Sequence, residues 1–205
     1  MKEIKTIINN SEYQFKEKGS LFVGRVFPTQ SVDAAESTLA DIRKKYYDAT
    51  HNCYAYKFID EESFKYSDDG EPSGTAGIRI LNAIKHFNLS NVLVISTRYY
   101  GGTKLGVGPL GKAYYNSAIG AIENSQIITK VNYSRIVIDF GYDFISDVHH
   151  FINTYKVKNI KNLFNENPQI ECLIKPEFVN KLEDDLIAVS NSKIEVEILE
   201  ENIYL

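Results

Sequence analysis

The sequence predicts an α+β protein built from two domains, residues 1–130 and residues 131–205. Three observations lead to this prediction. Short strand-like runs alternate with amphipathic helical segments along the whole chain. Residues 1–130 carry 16 basic and 14 acidic side chains, whereas residues 131–205 carry 7 and 13. Eight of the twelve glycines lie between Gly70 and Gly111, and none follows Gly141.

In the first domain, apolar patterning predicts strands at residues 12–17, 21–27, 52–59 and 91–97. The run at 91–97 is continuously apolar, which is typical of a strand buried on both faces. Helical spacing predicts helices at residues 31–48 and 80–87, and a third that starts with Gly108 as its cap and Pro109 at its first position. Together these elements predict a sandwich of strands and helices.

The second domain shows the order strand, helix, strand, strand, helix, strand. The predicted strands are residues 135–140, 157–163, 170–174 and 193–199, with a turn at Asn165–Pro168. The predicted helices cover residues 145–155 and 176–186. This β-α-β-β-α-β order predicts a ferredoxin-like domain, a fold that by itself says little about activity.

Overall composition favours a globular cytoplasmic protein. The chain has 205 residues, of which 43% are hydrophobic, so it can bury a core without disulfides. Cys53 and Cys172 cannot form a disulfide framework, which favours a reducing compartment. We see no secretory signal and no apolar run approaching the roughly 18 residues of a membrane span. A net charge of -4 would ordinarily argue against nucleic-acid binding.

That argument fails for one long segment. The 51 residues from Pro72 to Ile122 contain no Asp or Glu. They contain five cations, namely Arg79, Lys85, Arg98, Lys104 and Lys112. Because a basic segment rich in glycine can approach phosphates closely, nucleic acid is a possible partner of this part of the chain.

The first glycine-rich loop, residues 67–77, is a candidate site because it combines carboxylates and hydroxyls. Its candidate ligands are Asp68, Asp69, Glu71, Ser73 and Thr75. Three carboxylates could hold Mg²⁺, and the hydroxyls with the amides of a following helix could bind an anion. The alternative is a structural turn with solvated acids and a capped helix.

The second glycine-rich loop, residues 96–108, follows the buried strand and is the second candidate. Arg98 offers a planar fork for phosphate, and Lys104 offers a mobile charge. Tyr99 could stack on a base, although adjacent strand residues point to opposite faces, so that either Tyr99 or Tyr100 belongs to the core. The predicted anion or nucleic-acid site comprises Arg79, Arg98, Tyr99, Gly101, Gly102, Lys104 and Lys112. The alternative is a purely structural glycine loop.

Three stretches, residues 49–56, 68–77 and 97–106, together resemble the IMPACT/YigZ family in order and spacing. The resemblance covers about residues 10–130, and the remainder is similar to the small C-terminal domain of the bacterial two-domain branch. It implies an N-terminal βα sandwich like that of ribosomal-protein and elongation-factor domains. It also implies a C-terminal domain similar to the last domain of elongation factor G.

The family resemblance also implies a role in translation. Eukaryotic relatives regulate translation by competing for a ribosome-associated activator of an initiation-factor kinase. The resemblance implies that the two glycine-rich loops of this chain correspond by position to the two loops of the family. The chain departs from the family pattern at Arg79, where proline is usual, and at Pro109 and Lys112, where glycine and arginine are usual. Lys112 keeps the cation but loses bidentate geometry.

The sequence therefore predicts a cytoplasmic, translation-associated regulatory protein that is not an enzyme and needs no cofactor. Its predicted partner is RNA or a ribosome or translation-factor surface, contacted through the basic glycine-rich face and not through a membrane. The acidic second domain would add a contact or guard against non-specific binding. Two alternatives stay open, a Mg²⁺-dependent enzyme acting on a small phosphorylated substrate and a pure protein-binding regulator. The oligomeric state stays open as well.

Overall fold

The computed structural model describes residues 2–60, 62–164 and 167–205. The chain divides into two compact units, Lys5–Thr129 and a second unit formed by Lys130–Leu205 with the described residues up to Ile4. The described residues contain five α-helices and two sheets whose recorded strand pairs are antiparallel. The protein is therefore mixed α+β, as the sequence predicts.

The first unit is built on a five-stranded sheet. Its elements, in chain order, are β1 (Glu3–Ile7, shared with the other unit), β2 (Ser11–Glu17), β3 (Ser20–Pro28), α1 (Val32–Lys45), β4 (His51–Lys57), β5 (Phe64–Ser67), α2 (Gly77–His86), β6 (Val92–Tyr99) and α3 (Val107–Glu123). The strand order in the sheet is β2-β3-β6-β4-β5, with every neighbouring pair antiparallel. This order places β6, the continuously apolar strand, at the centre.

Helices cover both faces of this sheet. On one face, Leu39 of α1 packs with Tyr54 and Ile95. On the other face, α2 and α3 bury Ile80 and Tyr114 with further apolar residues of β3, β4 and β6. Every residue of β6 from Val92 to Arg98 is buried, so the prediction of a strand covered on both faces is confirmed. Burial at both faces explains why the run is continuous rather than alternating.

The structure confirms the predicted start of α1 and contradicts the predicted start of α3. Ser31 caps α1, and its Oγ accepts a hydrogen bond from Ala34 N at 3.2 Å. The predicted start of α3 at Gly108 is wrong, because α3 begins at Val107 with Gly106 as its cap residue, at φ +86°. Pro109 is therefore the third helical residue, where its missing N–H breaks no helical bond because the first four amides have no intrahelical acceptor.

The second unit follows the predicted element order. Its elements are β7 (Ile127–Asp139, which begins in the first unit), α4 (Ile145–Thr154), β8 (Lys158–Phe164), β9 (Pro168–Ile174), α5 (Val179–Ser190) and β10 (Glu195–Tyr204). Four strands of its sheet run in the antiparallel order β10-β7-β9-β8. Val148 of α4 and Leu186 of α5 pack in one core with Ile138 and Cys172 of the sheet.

Some boundaries were not predicted. Strands β1 and β5 were missed, and β7 and β10 are longer than expected. β5 is an edge strand of only four residues, all exposed or half-buried, so its apolar alternation is too short to predict a strand. The predicted turn at Asn165–Pro168 includes residues 165 and 166, which lie outside the described residues. In the described part of the chain, no helix is long and apolar enough to cross a membrane.

Candidate functional site

The two candidate loops of the first unit meet at the carboxyl end of β6. We call Asp68–Ala76, between β5 and α2, the acidic loop, and Tyr100–Gly106, between β6 and α3, the glycine loop. The β2–β3 turn at Lys18–Gly19 lies against the glycine loop, since a Cβ on Gly101 would fall 1.9 Å from the carbonyl carbon of Gly19. Only glycine fits at position 101 for this reason.

A buried ion pair joins the two loops. Glu71 Oε1 of the acidic loop lies 2.6 Å from Arg98 Nη1 at the end of β6, and both side chains are at least 94% buried. Tyr114 of α3 donates a second hydrogen bond to the same oxygen at 2.6 Å. The Oγ of Ser20 accepts hydrogen bonds from Arg98 Nη2 and from Gly101 N, each at 3.2 Å. Arg98 therefore links the acidic loop to the β2–β3 turn.

This placement changes the interpretation of Arg98. The sequence predicts a guanidinium that faces phosphate, whereas the structure buries it between the rings of Phe22 and Tyr100, each 5.4 Å away. Its charge is compensated by Glu71, and a buried charge is tolerated only when it is paired in this way. Arg98 is thus positioned to hold the loops together and does not present its cation to solvent.

Asp68 supplies the cap for α2. Its Oδ1 accepts hydrogen bonds from Ala76 N and Gly77 N at 2.9 and 2.8 Å, and its Oδ2 accepts from Gly74 N at 2.9 Å. The residue at the cap position, Ala76, has no side-chain acceptor of its own. A carboxylate at a helix N-terminus is favoured by the free amides and by the helix dipole.

Asp69 is held by a different set of donors. Its Oδ1 lies 2.6 Å from Arg43 Nη2, and its Oδ2 accepts from Asn52 N at 2.7 Å. The Nδ1 of His51 lies 2.8 Å from the backbone oxygen of Asp69. Because a carbonyl only accepts, that ring nitrogen carries the proton. The Nε2 of His51 lies 3.8 Å from Glu71 Oε1.

The three carboxylates are therefore engaged separately by protein donors. In the described residues, no three or more His, Cys, Asp or Glu side chains are grouped so that they could hold a metal ion. Of the two hydroxyls in this loop, Thr75 is buried and donates to Pro72 O at 2.6 Å, whereas Ser73 is exposed. The contacts favour the structural alternative for the acidic loop, a turn that caps a helix and binds Arg98.

The thiol and phenol beside this ion pair are held neutral. Burial raises the pKa of Cys53, whose Sγ donates to Asp68 O at 3.0 Å. Burial also raises the pKa of Tyr114, which keeps its proton to donate to Glu71. Since the thiolate is the reactive form of cysteine, Cys53 is not an activated nucleophile.

The exposed cations lie on α2, on α3 and in the glycine loop. Arg79, Lys104 and Lys112 are all exposed, and the described residues provide no ion-pair partner for any of them. Arg79 of α2 lies across α3, because a Cβ on Gly111 would be 3.2 Å from its Nε. This contact places the Arg79 side chain against α3 at Gly111, the residue before Lys112.

The two tyrosines have different environments. Tyr99 is half-buried and donates a hydrogen bond to Asp48 Oδ1 at 3.1 Å. The pKa of Tyr99 is raised, mainly by its partial burial and also by this hydrogen bond. Tyr100 is 46% exposed. Neither ring is buried, so the prediction that one of the two tyrosines belongs to the core is wrong. Tyr100 is the more exposed ring, and the predicted site residue Tyr99 bonds to Asp48 in the region after α1. Gly102 adopts a φ of +84°, so its glycine identity has a conformational reason.

Sequence reasoning missed Ser20, Tyr114 and Gly19 as parts of this site. Ser20 and Tyr114 carry no sequence signal, because their roles depend on contacts with residues far away in the chain. Gly19, which lies against Gly101, could have been found. The pair Lys18-Gly19 between two alternating strands is a two-residue hairpin turn, and both residues have positive φ, at +45° and +82°.

Comparison with known proteins assigns most of the first unit to a described domain. Residues 18–122 match the Impact N-terminal domain. The chain is 28% identical over 199 residues to an IMPACT family member of Haemophilus influenzae, covering 95% of this chain and 97% of that protein. It is 26% identical over 194 residues to the IMPACT family member YvyE of Bacillus subtilis, covering 93% and 88%. A solved structure described only as a hypothetical protein superposes with a TM-score of 0.68 at 23% identity over 98% of both chains, which shows a shared fold.

Proposed function

Since the chain belongs to the IMPACT family, we propose that it is a cytoplasmic, translation-associated regulatory protein that binds RNA through its first unit. In this proposal the first unit is an IMPACT-type domain with the ribosomal-protein and elongation-factor type of βα sandwich. The second unit, with its β-α-β-β-α-β order, is a ferredoxin-like domain. The RNA phosphates are contacted by Arg79, Lys104 and Lys112.

One observation supports this proposal above the others. The acidic side chains of the neighbouring acidic loop have protein partners, whereas Arg79, Lys104 and Lys112 have no ion-pair partner among the described residues. Asp68 caps α2, Asp69 pairs with Arg43, and Glu71 pairs with Arg98. The local surface is therefore more basic than the composition suggests, and uncompensated Lys and Arg side chains are what phosphate backbones attract.

The start of α3 adds to this attraction. The first turn of α3 contains no acidic residue, and Gly106 at the cap position offers no side-chain acceptor. The free amides and the dipole of this helix therefore favour an anion next to Lys104 and Lys112. Tyr100 offers an exposed ring on which an unpaired base could stack.

The test is RNA and ribosome binding at increasing salt with matched charge-reversal variants. One variant carries Lys104→Glu and Lys112→Glu, and the control carries Lys181→Glu and Lys193→Glu, two exposed positions of the second unit. We expect wild type and control to bind a single-stranded oligonucleotide alike. The loop variant should bind at least about tenfold more weakly. The slope of its log K against log salt concentration should become less negative by about one to two.

Two results would contradict the proposal. Equal binding by the loop variant and the control would remove the cations of the first unit from the interface. An absence of RNA and ribosome binding by wild type at low salt would favour a regulator that binds only protein. The enzyme alternative would be revived by thermal stabilisation with nucleotides and Mg²⁺, since a ligand at 100 times its Kd adds about 2.7 kcal/mol.

A further inference from the structure

A second concave surface lies in the first unit, on the sheet face opposite α2 and α3. Only α1 covers this face among the described helices. A helix is about 10 Å wide and strands lie about 4.8 Å apart, so one helix covers about two of five strands. A cavity of about 320 Å³ lies between the end of α1 and strands β2 and β3. We call this cavity the α1 pocket.

A buried arginine forms part of the α1 pocket. Arg25 of β3 is only 6% exposed and lines the cavity. Its Nε lies 2.7 Å from Glu12 Oε2, and its Nη1 donates to Thr97 Oγ1 at 2.9 Å. Its guanidinium carbon lies 3.9 Å from the centre of the Tyr46 ring. Its Nη2 makes no hydrogen bond to any described residue, and this nitrogen is accessible to solvent.

The walls of the α1 pocket suit a ligand that is partly apolar. Phe27 of β3 and Ile42 of α1 provide apolar surface, and Lys45 of α1 adds a second cation. Among the described residues that line the pocket, Glu12 is the one carboxylate, and its side chain is about half exposed. Solvent therefore weakens its hold on Arg25. The pocket is open to solvent and its volume lies at the lower end of the range for small-molecule sites, so it suits a small ligand. A charged group beside an apolar wall is typical of such sites.

We propose that the α1 pocket binds a small organic anion. In this arrangement the carboxylate or phosphate of the ligand accepts a hydrogen bond from Arg25 Nη2 and is attracted by Lys45. Its apolar part packs on Phe27 and Ile42. Arginine presents several donors in a fixed plane, so the bonds already made to Glu12 and Thr97 leave the N–H groups of Nη2 for a second anion. The pocket lies apart from Lys104 and Lys112, and the proposal does not depend on RNA binding.

The test is an NMR titration of the full ¹⁵N-labelled chain with four probes. Benzoate and phenyl phosphate carry the two candidate anions on the same ring, benzamide is the neutral counterpart, and inorganic phosphate lacks the ring. We expect saturable shifts of the Arg25 Nε–H signal and of the amides around Ile42 and Tyr46 with benzoate or phenyl phosphate. Benzamide and inorganic phosphate should give at most weak shifts at these signals.

Variants separate the pocket from a general charge effect. Lys45→Glu should weaken binding at least about tenfold, whereas Lys44→Glu, an exposed neighbour outside the pocket, should change it less than about twofold. Arg25→Met should abolish binding, and its amide spectrum reports whether it folds. If Arg25→Met does not fold, the comparison of Lys45→Glu with Lys44→Glu decides the test. The proposal is overturned if neither anion saturates these signals below about 10 mM, if benzamide acts equally, or if the two lysine variants behave alike.

Discussion

Glu71 and Arg98 form a buried ion pair, with Oε1 and Nη1 2.6 Å apart, although the acidic loop and the end of β6 place them 27 positions apart in the sequence. Tyr114 donates to the same carboxylate oxygen and Ser20 accepts from the same guanidinium. Four segments of the first unit are therefore joined at one pair of charges. The arrangement favours a single geometry of the two loops, because breaking it would leave a charge buried without a partner.

Removing one partner of this pair should be strongly destabilising. We expect Arg98→Met to lower the free energy of unfolding of the first unit by about 3–5 kcal/mol, because Glu71 stays buried and uncompensated. The double variant with Glu71→Gln should recover much of this loss. Hydrogen exchange of the β6 amides is the suitable measurement, since two units need not unfold together. A double variant no more stable than Arg98→Met would contradict this account.

Replacing Gly24 or Gly108 by alanine should change the stability of the first unit in opposite directions. At Gly24 of β3, a Cβ would fall 2.0 Å from the backbone oxygen of Ser117, so Gly24→Ala must displace α3 from the sheet. At Gly108 of α3, a Cβ would meet nothing within 4 Å. We expect Gly108→Ala to stabilise the unit by about 0.5–1 kcal/mol, and Gly24→Ala to destabilise it by several times that amount.

Exchange of the amides in β3 and α3 measures both substitutions in the same background. The contrast between them is informative, because helix and strand propensities alone would make either change mildly favourable. If Gly24→Ala left exchange unchanged, the close approach of β3 and α3 would not be required for the fold.

Cys172 should make the stability of the second unit fall at alkaline pH. Burial raises the pKa of its thiol from 9.0 to about 12. The unfolded chain therefore loses this proton at lower pH than the folded chain does. The contribution is fully present below pH 9 and is lost between pH 9 and about pH 12, with a slope of at most about 1.4 kcal/mol per pH unit.

The measurement compares hydrogen exchange of the β9 amides in wild type and Cys172→Ala from pH 8 to pH 11. Cys172→Ala loses packing at every pH, so the relevant quantity is how the difference between the two proteins changes. We expect the difference to shrink above pH 9. A difference independent of pH would show that the thiol is not shielded in the folded chain.

Much of the fold could be predicted because it depends on local periodicity. The continuous apolar run of β6, the Ser31 cap of α1 and the strand–helix order of the second unit are visible in the residues themselves. Boundaries were harder where the local signal is weak. The exposed strand β5 was missed, and α3 begins two residues earlier than Pro109 suggested.

The candidate site was only partly predictable. The two loops, the family and the exposed cations followed from composition and motifs. The direction of each charged side chain did not. Arg98 follows an apolar run that is buried on both faces, and this could have indicated an interior position for it. Its partner could not have been named, because Glu71 lies in a different segment, 27 positions earlier in the sequence.

The sequence by itself determined the elements, the charge step near residue 130 and the acid-free segment, since these are properties of neighbours along the chain. Only the tertiary structure decided that Asp68, Asp69, Glu71 and Arg98 bond within the protein, while Lys104 and Lys112 pair with no acidic side chain in the described part of the chain. The reason is physical: a charge brought into the interior needs a partner, and which residues become partners depends on how distant segments pack.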